Sequence, residues 1–238
     1  MRIVAAVLAL LLAAAAPADA QTADAQEKMA LARTYLDEAG GSFDYAKGES
    51  LMREAAEAGL AEAQFQMGLL ALGAFGNPPD MGGAAQWLEK AAAQQHAAAR
   101  YQLGVLYLEG LGVPKNPVKA AALIGEAARQ GNADAMLDYG VLVFRGEGVR
   151  QDEKIGAQWL LLSARRGNPI AQNRVARVLA AGRGAAADPV EAMKWHILAT
   201  RAGRGDAELD TQFGKLPEAD RKEAEARADA FKPAEAPE

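Results

Sequence analysis

The sequence predicts an all-α fold: an α/α superhelical solenoid of five 36-residue helix-turn-helix repeats, ending in a C-terminal capping helix. Three observations point to it. Gly40, Gly76, Gly112, Gly148 and Gly184 recur at a step of 36 with no insertion, and Asp44, Asp80, Asn116, Asp152 and Asp188 keep the same step. Small residues repeat with them: Ala55, Ala91, Ala127, Ser163 and Ala199 on one ladder, and Ala63, Ala99, Ala135, Ala171 and Ala207 on another. Leu51, Trp87, Leu123, Trp159 and Trp195 mark one bulky position. A fixed period of this size is the signature of stacked supersecondary units, and 50% apolar residues with few aromatics suit closely packed helices.

From the N-terminus, Arg2 precedes an uninterrupted apolar stretch over residues 3–16, which Pro17 breaks. Ala18-Asp19-Ala20 then supplies a small-x-small cleavage site. The stretch is shorter than the roughly 20 residues a spanning helix needs, so 1–20 reads as a cleaved signal peptide and 21–26 as a lead-in. With no Cys anywhere, lipid attachment at the new N-terminus is excluded. The expected location is the periplasm or the exterior, with no membrane span after signal removal.

The repeats are expected at 27–62, 63–98, 99–134, 135–170 and 171–206. In the third, Ala99, Leu103, Leu106 and Tyr107 fall on one face of helix A. Gly68, Gly104 and Gly140 sit in mid-helix, where Gly costs about 1 kcal/mol relative to Ala, so a second helix should cross closely there. Gly110, Gly146 and Gly182 suit left-handed C-terminal caps, and the second Gly of each Gly-x-Gly turns the chain back. The recurring Asp or Asn is the N-cap of helix B, with Pro117 and Pro189 at its first position. Gly59, Gly131, Gly167 and Gly203 close helix B. One pair cannot bury both apolar faces, but stacked pairs share a core. In the first repeat Thr34 and Gly48 replace larger or better-packing residues, as at an end. After Ala207 the pattern decays. A charged amphipathic helix is expected from Leu216-Pro217-Glu218 to about Phe231, with a frayed tail from Lys232, and 207–238 form the cap.

The elements Leu103-Gly104-x-x-Tyr107, Gly110-x-Gly112-Val113, Asn116, Ala120 and Ala127-Ala128-x-x-Gly131 resemble the Sel-1-like repeat family. The fourth repeat matches too, through Tyr139-Gly140, Arg145-Gly146-Glu147-Gly148-Val149, Asp152, Trp159 and Ala164-Arg165-Arg166-Gly167. The resemblance covers residues 27–206. The period exceeds the 34 residues of the tetratricopeptide repeat, and Gly stands where that repeat favours Pro. The resemblance implies an α/α superhelix that assembles or regulates protein complexes, in bacteria often outside the cytoplasm, and it supplies no catalytic residue. A cysteine-rich branch of the family is associated with β-lactam binding through a disulfide in each repeat. This chain lacks those cysteines.

Several chemistries are disfavoured. The absence of Cys removes disulfides, thiolate metal sites and thiol nucleophiles. Only Ser42, Ser50 and Ser163 occur, and none has Lys three residues on, as a Ser-x-x-Lys nucleophile requires. His96 and His196 are too distant in sequence to suggest a local metal pair. His96 aligns with Asn132 and Asn168 and reads as a solvated turn residue. His196 replaces the apolar Leu88, Ile124 and Leu160 and reads as a partly buried structural His. The recurring carboxylates are caps, and no other pair singles out a general acid and base. The Gly-rich turns lack the Gly-Lys-Ser/Thr ending of a phosphate loop. The Trp residues share a core position. No cofactor or metal is expected, no catalysis, and, at net charge −5, no nucleic-acid partner. A cell-wall or β-lactam hydrolase is the least favoured reading.

What varies between repeats is the outer stripe of helix A. It comprises Phe65, Leu69 and Leu72, then Tyr101, Val105 and Leu108, then Leu137, Val141 and Phe144, and in the fifth repeat Asn173, Arg177 and Ala180. The stripe either packs against neighbouring helices A or forms an exposed groove for an extended peptide or amphipathic helix. Residues 133–204 carry 11 basic and 7 acidic side chains, between acidic flanks of 5 and 11 (21–96) and of 5 and 10 (205–238). The basic block includes Arg145, Arg165, Arg166, Arg174 and Arg177. It is either a set of solvated faces, a counterpart of the acidic C-terminal helix, or a steering surface for an acidic partner. The expected function is a scaffold in the cell envelope, binding a partner protein through the concave helix A side. Binding of an anionic envelope polymer (peptidoglycan or polysaccharide) is the alternative.

Overall fold

A computed structural model of the chain describes residues 18–74 and 78–234. Residues 1–17 of the expected signal segment, and Gly76 of the glycine ladder, lie outside the described residues. The described residues contain twelve helices and no strand: α1 (Ala18–Leu36), α2 (Tyr45–Glu57), α3 (Ala61–Ala71), α4 (Met81–Ala93), α5 (Ala97–Glu109), α6 (Pro117–Arg129), α7 (Ala133–Arg145), α8 (Glu153–Arg165), α9 (Pro169–Ala181), α10 (Pro189–Arg201), α11 (Ala207–Phe213) and α12 (Glu218–Asp229). Odd-numbered α1 to α9 are helices A, and even-numbered α2 to α10 are helices B. The chain divides after Gln94 into two compact units. In the first, α1 to α4 pack in sequence order; in the second, α5 to α10 do the same, and α10 also packs on α11 and α12.

The caps account for the element ends. Asp44, Asp80, Asn116, Asp152 and Asp188 each accept the backbone N–H three residues on, at 2.9–3.0 Å. Helix A is capped as well: Asn132 accepts from Ala135 N at 2.8 Å and Asn168 from Ala171 N at 3.0 Å. His96 takes the same role, its Nδ1 accepting from Ala99 N at 3.2 Å. His96 lies in the inter-helix turn as expected, half-buried and with the added role of a cap, because Nδ1 is placed where Asn puts its side-chain oxygen. Helices α5, α7 and α9 end in left-handed Gly110, Gly146 and Gly182.

Close crossings account for the mid-helix glycines. A β-carbon on Gly104 would lie 2.5 Å from Ile124 Cγ1, and one on Gly68 would lie 2.8 Å from Leu88 Cγ. Gly48, expected as a poorly packing end-repeat residue, is buried in the same way. Its β-carbon would stand 2.7 Å from Leu36 Cγ and 3.2 Å from the Ala32 carbonyl oxygen, so α1 and α2 meet there.

Alanines and one large residue per helix B fill the cores. Leu88 and Ile124 are wholly buried, and Trp195 is 1% exposed. Trp87 and Trp159 are half-buried, with Trp159 edge-on to Tyr139 at a centroid distance of 5.4 Å. Buried Gln64 and Gln172 donate their amides to the carbonyls of Ala56 and Ala164, stitching helix A to the preceding helix B.

The C-terminal cap differs from expectation at two points. Where the pattern decays, Ala207–Phe213 forms the short helix α11, capped by Asp206 and held by buried Leu209 and Phe213. It is a truncated helix A: the ladder Ala survives, but Lys215-Leu216-Pro217 stops the helix. The stretch expected to fray after Lys232 is also engaged. Ala234 N–H donates to the Arg165 carbonyl at 2.7 Å, and Phe231 packs edge-on against Trp195 at 5.3 Å. Residues 235–238 of the tail lie outside the described residues.

Candidate functional site

In the second unit the outer stripe of helix A is partly packed and partly open. Tyr101 and Leu108 on α5 lean on the core around Ile124 and Met136, and Val105 is half-buried. The Tyr101 hydroxyl donates to Asp138 Oδ2 at 3.0 Å, tying α5 to α7. Burial first, and then the charge of Asp138, push the Tyr101 hydroxyl well above its ordinary pKa. Burial also raises Asp138, although the Tyr101 hydrogen bond and Arg174 act the other way. On α7, Leu137 is buried, while Val141 and Phe144 are half-buried against the core of the last repeats. In the first unit Phe65 and Leu69 on α3, and Leu72 at its C-cap, are half-buried.

The open part is a cavity of about 490 Å³ between α7 and α9. Val141, Phe144, Leu160 and Val178 form its apolar lining, and Arg145, Arg174, Arg177 and Arg183 bring four guanidinium groups to it. Gln151 and Ala181 complete it. Register explains the space. Phe144 and Arg145 of α7 correspond, 36 residues on, to Ala180 and Ala181 of α9, so α9 leaves open the volume that α7 fills. Arg145 closes the last turn of α7, where a cation complements the helix dipole.

The four cations are not equivalent. Arg177 pairs with Asp206, its Nε donating to Oδ2 at 2.6 Å, and reaches Glu208 at 3.8 Å. Arg183 pairs with Glu153, and its guanidinium carbon lies 5.0 Å from the centre of the Phe144 ring. Arg145 and Arg174 form no ion pair among the described residues. Arg174 Nε is buried without an acceptor, a state that costs about 1–3 kcal/mol. Burial first, and then the charge of Arg145, hold the Arg174 guanidinium below its ordinary pKa. The cavity is a concentrated positive site with an apolar wall.

Of the residues expected to meet a partner, the structure gathers Val141, Phe144, Arg145, Arg174 and Arg177. Tyr101, Val105, Leu108 and Leu137 do not line this cavity, and Phe65, Leu69 and Leu72 belong to the first unit. The sequence reading missed Gln151, Leu160, Val178, Ala181 and Arg183. Leu160 reads only as a repeated apolar position, Val178 is not singled out by the repeat pattern, and Arg183 stands inside a Gly-x-Gly turn. A basic residue in that turn beside the basic block was the available signal.

His196, the oddest substitution in the repeat, lies elsewhere. It is 4% exposed, its Nε2 is 2.7 Å from Asp210 Oδ1, and its ring tilts against Phe213. It joins α10 to α11. Among the described residues no cluster of His, Asp and Glu is arranged to hold a metal ion, and no helix is long and apolar enough to cross a membrane.

The Sel1 repeat model matches residues 23–60, 61–96, 97–132, 133–168 and 169–203. The chain belongs to the Sel1 repeat family. Sel1 repeat proteins generally mediate protein–protein interaction, and the family is generally a non-catalytic repeat scaffold. A Sel1 repeat protein from Oxalobacter formigenes is 29% identical, with 91% of this chain and 89% of that one covered, at a TM-score of 0.73. c5321, a protective antigen present in uropathogenic Escherichia coli strains and displaying an SLR fold, is 26% identical at a TM-score of 0.75. That match covers 90% of this chain and 44% of c5321, so this Sel1 chain spans less than half of it. No protein with a curated description matches the sequence.

Proposed function

We propose that this Sel1 repeat protein is a non-catalytic scaffold of the cell envelope, which binds a segment of a partner protein along the helix A side of its fourth and fifth repeats. The observation that carries the reading is the cavity between α7 and α9, where apolar side chains and two unpaired arginines meet on the face that varies between repeats. Elsewhere the repeated residues are committed to caps and core, which leaves this variable face for recognition. The apolar wall supplies an anchor and the cations supply steering. Export rests on the signal-like segment at residues 1–20.

The test is site-specific photo-crosslinking in living cells. A crosslinking side chain in place of Ala181, inside the cavity, is expected to capture a protein. One in place of Ile155, exposed on α8, is not. No protein adduct from position 181, or the same adducts from both positions, removes this face as the binding site. For export, N-terminal sequencing of the protein from the envelope fraction is expected to begin at Gln21. Recovery of the chain in the cytosol with its leader intact overturns that part.

A further inference from the structure

We infer that the cavity between α7 and α9 takes an acidic side chain of the partner segment between Arg145 and Arg174, with a neighbouring apolar side chain against Phe144, Leu160 and Val178. This rests on the proposed scaffold reading and adds the chemistry of what is bound.

Internal pairing sorts the four arginines. Asp206 and Glu208 answer Arg177, and Glu153 answers Arg183, so these two are neutralised within the fold. Arg145 and Arg174 have no such counter-charge among the described residues. Asp138 partly offsets Arg174, but its carboxylate accepts the Tyr101 hydroxyl and makes no ion pair with the guanidinium. Two like charges therefore stand at one wall, Arg174 partly buried and Arg145 exposed, with no anion paired to either among the described residues.

The repeat does not demand this arrangement. The position of Arg174 is held by Gln102 and Asp138 in the two preceding repeats, and that of Arg145 by Glu109 and Ala181 in the repeats on either side. Neither arginine belongs to the packing plan. Arg174 nevertheless keeps its Nε buried and without an acceptor, a donor waiting for an oxygen. Guanidinium groups recognise carboxylates through paired N–H donors, and an anion between Arg145 and Arg174 relieves their mutual repulsion as well as filling that donor.

The cavity also selects the carrier of the carboxylate. Its floor is Phe144, Leu160 and Val178, and Ala181 leaves room over them. A polyanionic glycan offers charge without an apolar side chain, and it rewards a long cationic stripe over a pocket with two free cations. A peptide with an acidic residue beside a Leu or Phe satisfies both walls at once.

The probe is a fluorescein-labelled Gly/Ser octapeptide with a central Leu-Asp-Phe-Glu block, followed by fluorescence anisotropy. Its matched controls carry Asn and Gln for the acids, or Ser for the apolar residues, and dextran sulfate stands for a polyanion. The wild-type chain is expected to bind the acidic apolar peptide in preference to every control. The double variant Arg145→Ala/Arg174→Met is expected to weaken that binding roughly tenfold or more, and Arg129→Ala, an exposed cation on α6, to leave it unchanged. Circular dichroism confirms that the variants keep their helices. Equal binding of the Asn/Gln peptide, insensitivity to the double variant, or no binding of the acidic apolar peptide overturns the inference. Arginine-dependent binding of dextran sulfate without peptide binding overturns it in favour of a polyanion. Photo-crosslinking from position 181 in the double variant separates the two levels. Protein adducts that persist there leave the scaffold reading standing while the carboxylate specificity falls.

Discussion

The imidazole Nε2 of His196 and Oδ1 of Asp210 stand 2.7 Å apart, joining the last full helix B to the short α11. His196 occupies the position that Leu88, Ile124 and Leu160 fill in the earlier repeats, and its Nδ1 is buried without a partner. The pair gains little from its exposed carboxylate and retains an unsatisfied nitrogen. His196→Leu is therefore expected to stay within about 1 kcal/mol of wild type, whereas His196→Ala, which opens a cavity beside Phe213, loses about 2–3 kcal/mol. Urea titrations of both variants decide it; a Leu variant as unstable as the Ala variant shows the His196–Asp210 contact to be essential.

Gly184 and Gly203 both have left-handed backbones, at φ of 72° and 75°. They differ in their surroundings. A β-carbon on Gly203 meets nothing within 4 Å, but one on Gly184 falls inside van der Waals contact with the Glu153 carbonyl oxygen at the start of α8. Gly203→Ala is expected to cost about 1 kcal/mol from backbone strain alone. Gly184→Ala adds the clash and is expected to cost over about 2 kcal/mol, with loss of the docking of the fifth repeat on the fourth. Equal melting temperatures for the two variants count against this account.

Asp152 and Asp188 cap α8 and α10 at 2.9 Å. Replacing either by Ala is expected to cost about 1 kcal/mol. The double replacement is expected to be near-additive, since the two caps share no bonding partner. A double-mutant cycle measured by thermal melting checks both numbers, and a coupling above about 0.5 kcal/mol argues against independence.

Asp138 sets a pH dependence. Burial raises its folded pKa above the ordinary 3.8, so the folded chain holds that proton more tightly than the unfolded chain. The penalty for its charge is absent below the unfolded pKa and grows as pH rises through the folded one. Asp138→Asn, which keeps an acceptor for the Tyr101 hydroxyl, is expected to be more stable than wild type at pH 7. That advantage should shrink as pH falls toward 4. A gap that stays constant or widens in acid refutes the assignment.

The helix pairs are legible in the sequence because their causes are local. An Asp or Asn before each helix B binds an N–H three residues away, and a Gly after helix A relaxes into a left-handed cap, whatever the rest of the chain does. The ladder of Ala and the bulky position of Trp195 likewise follow from a 36-residue period that places the same face against the same neighbour. Alignment with Asn132 and Asn168 placed His96 in its turn but did not reveal its capping role, because a ring nitrogen can occupy the place of an Asn oxygen only once the backbone is in position. Gly48 failed for a related reason: a small residue looks like missing packing until the helix it admits is seen. The sequence by itself therefore determined the repeat, its caps, its core and the basic character of the fourth and fifth repeats. The tertiary structure alone decided which charges cancel. It paired Arg177 with Asp206 and Arg183 with Glu153, across separations of 29 and 30 residues, and left Arg145 and Arg174 unanswered beside Phe144. Coulombic pairing depends on distances of a few ångströms between elements, and no periodicity along a chain records those.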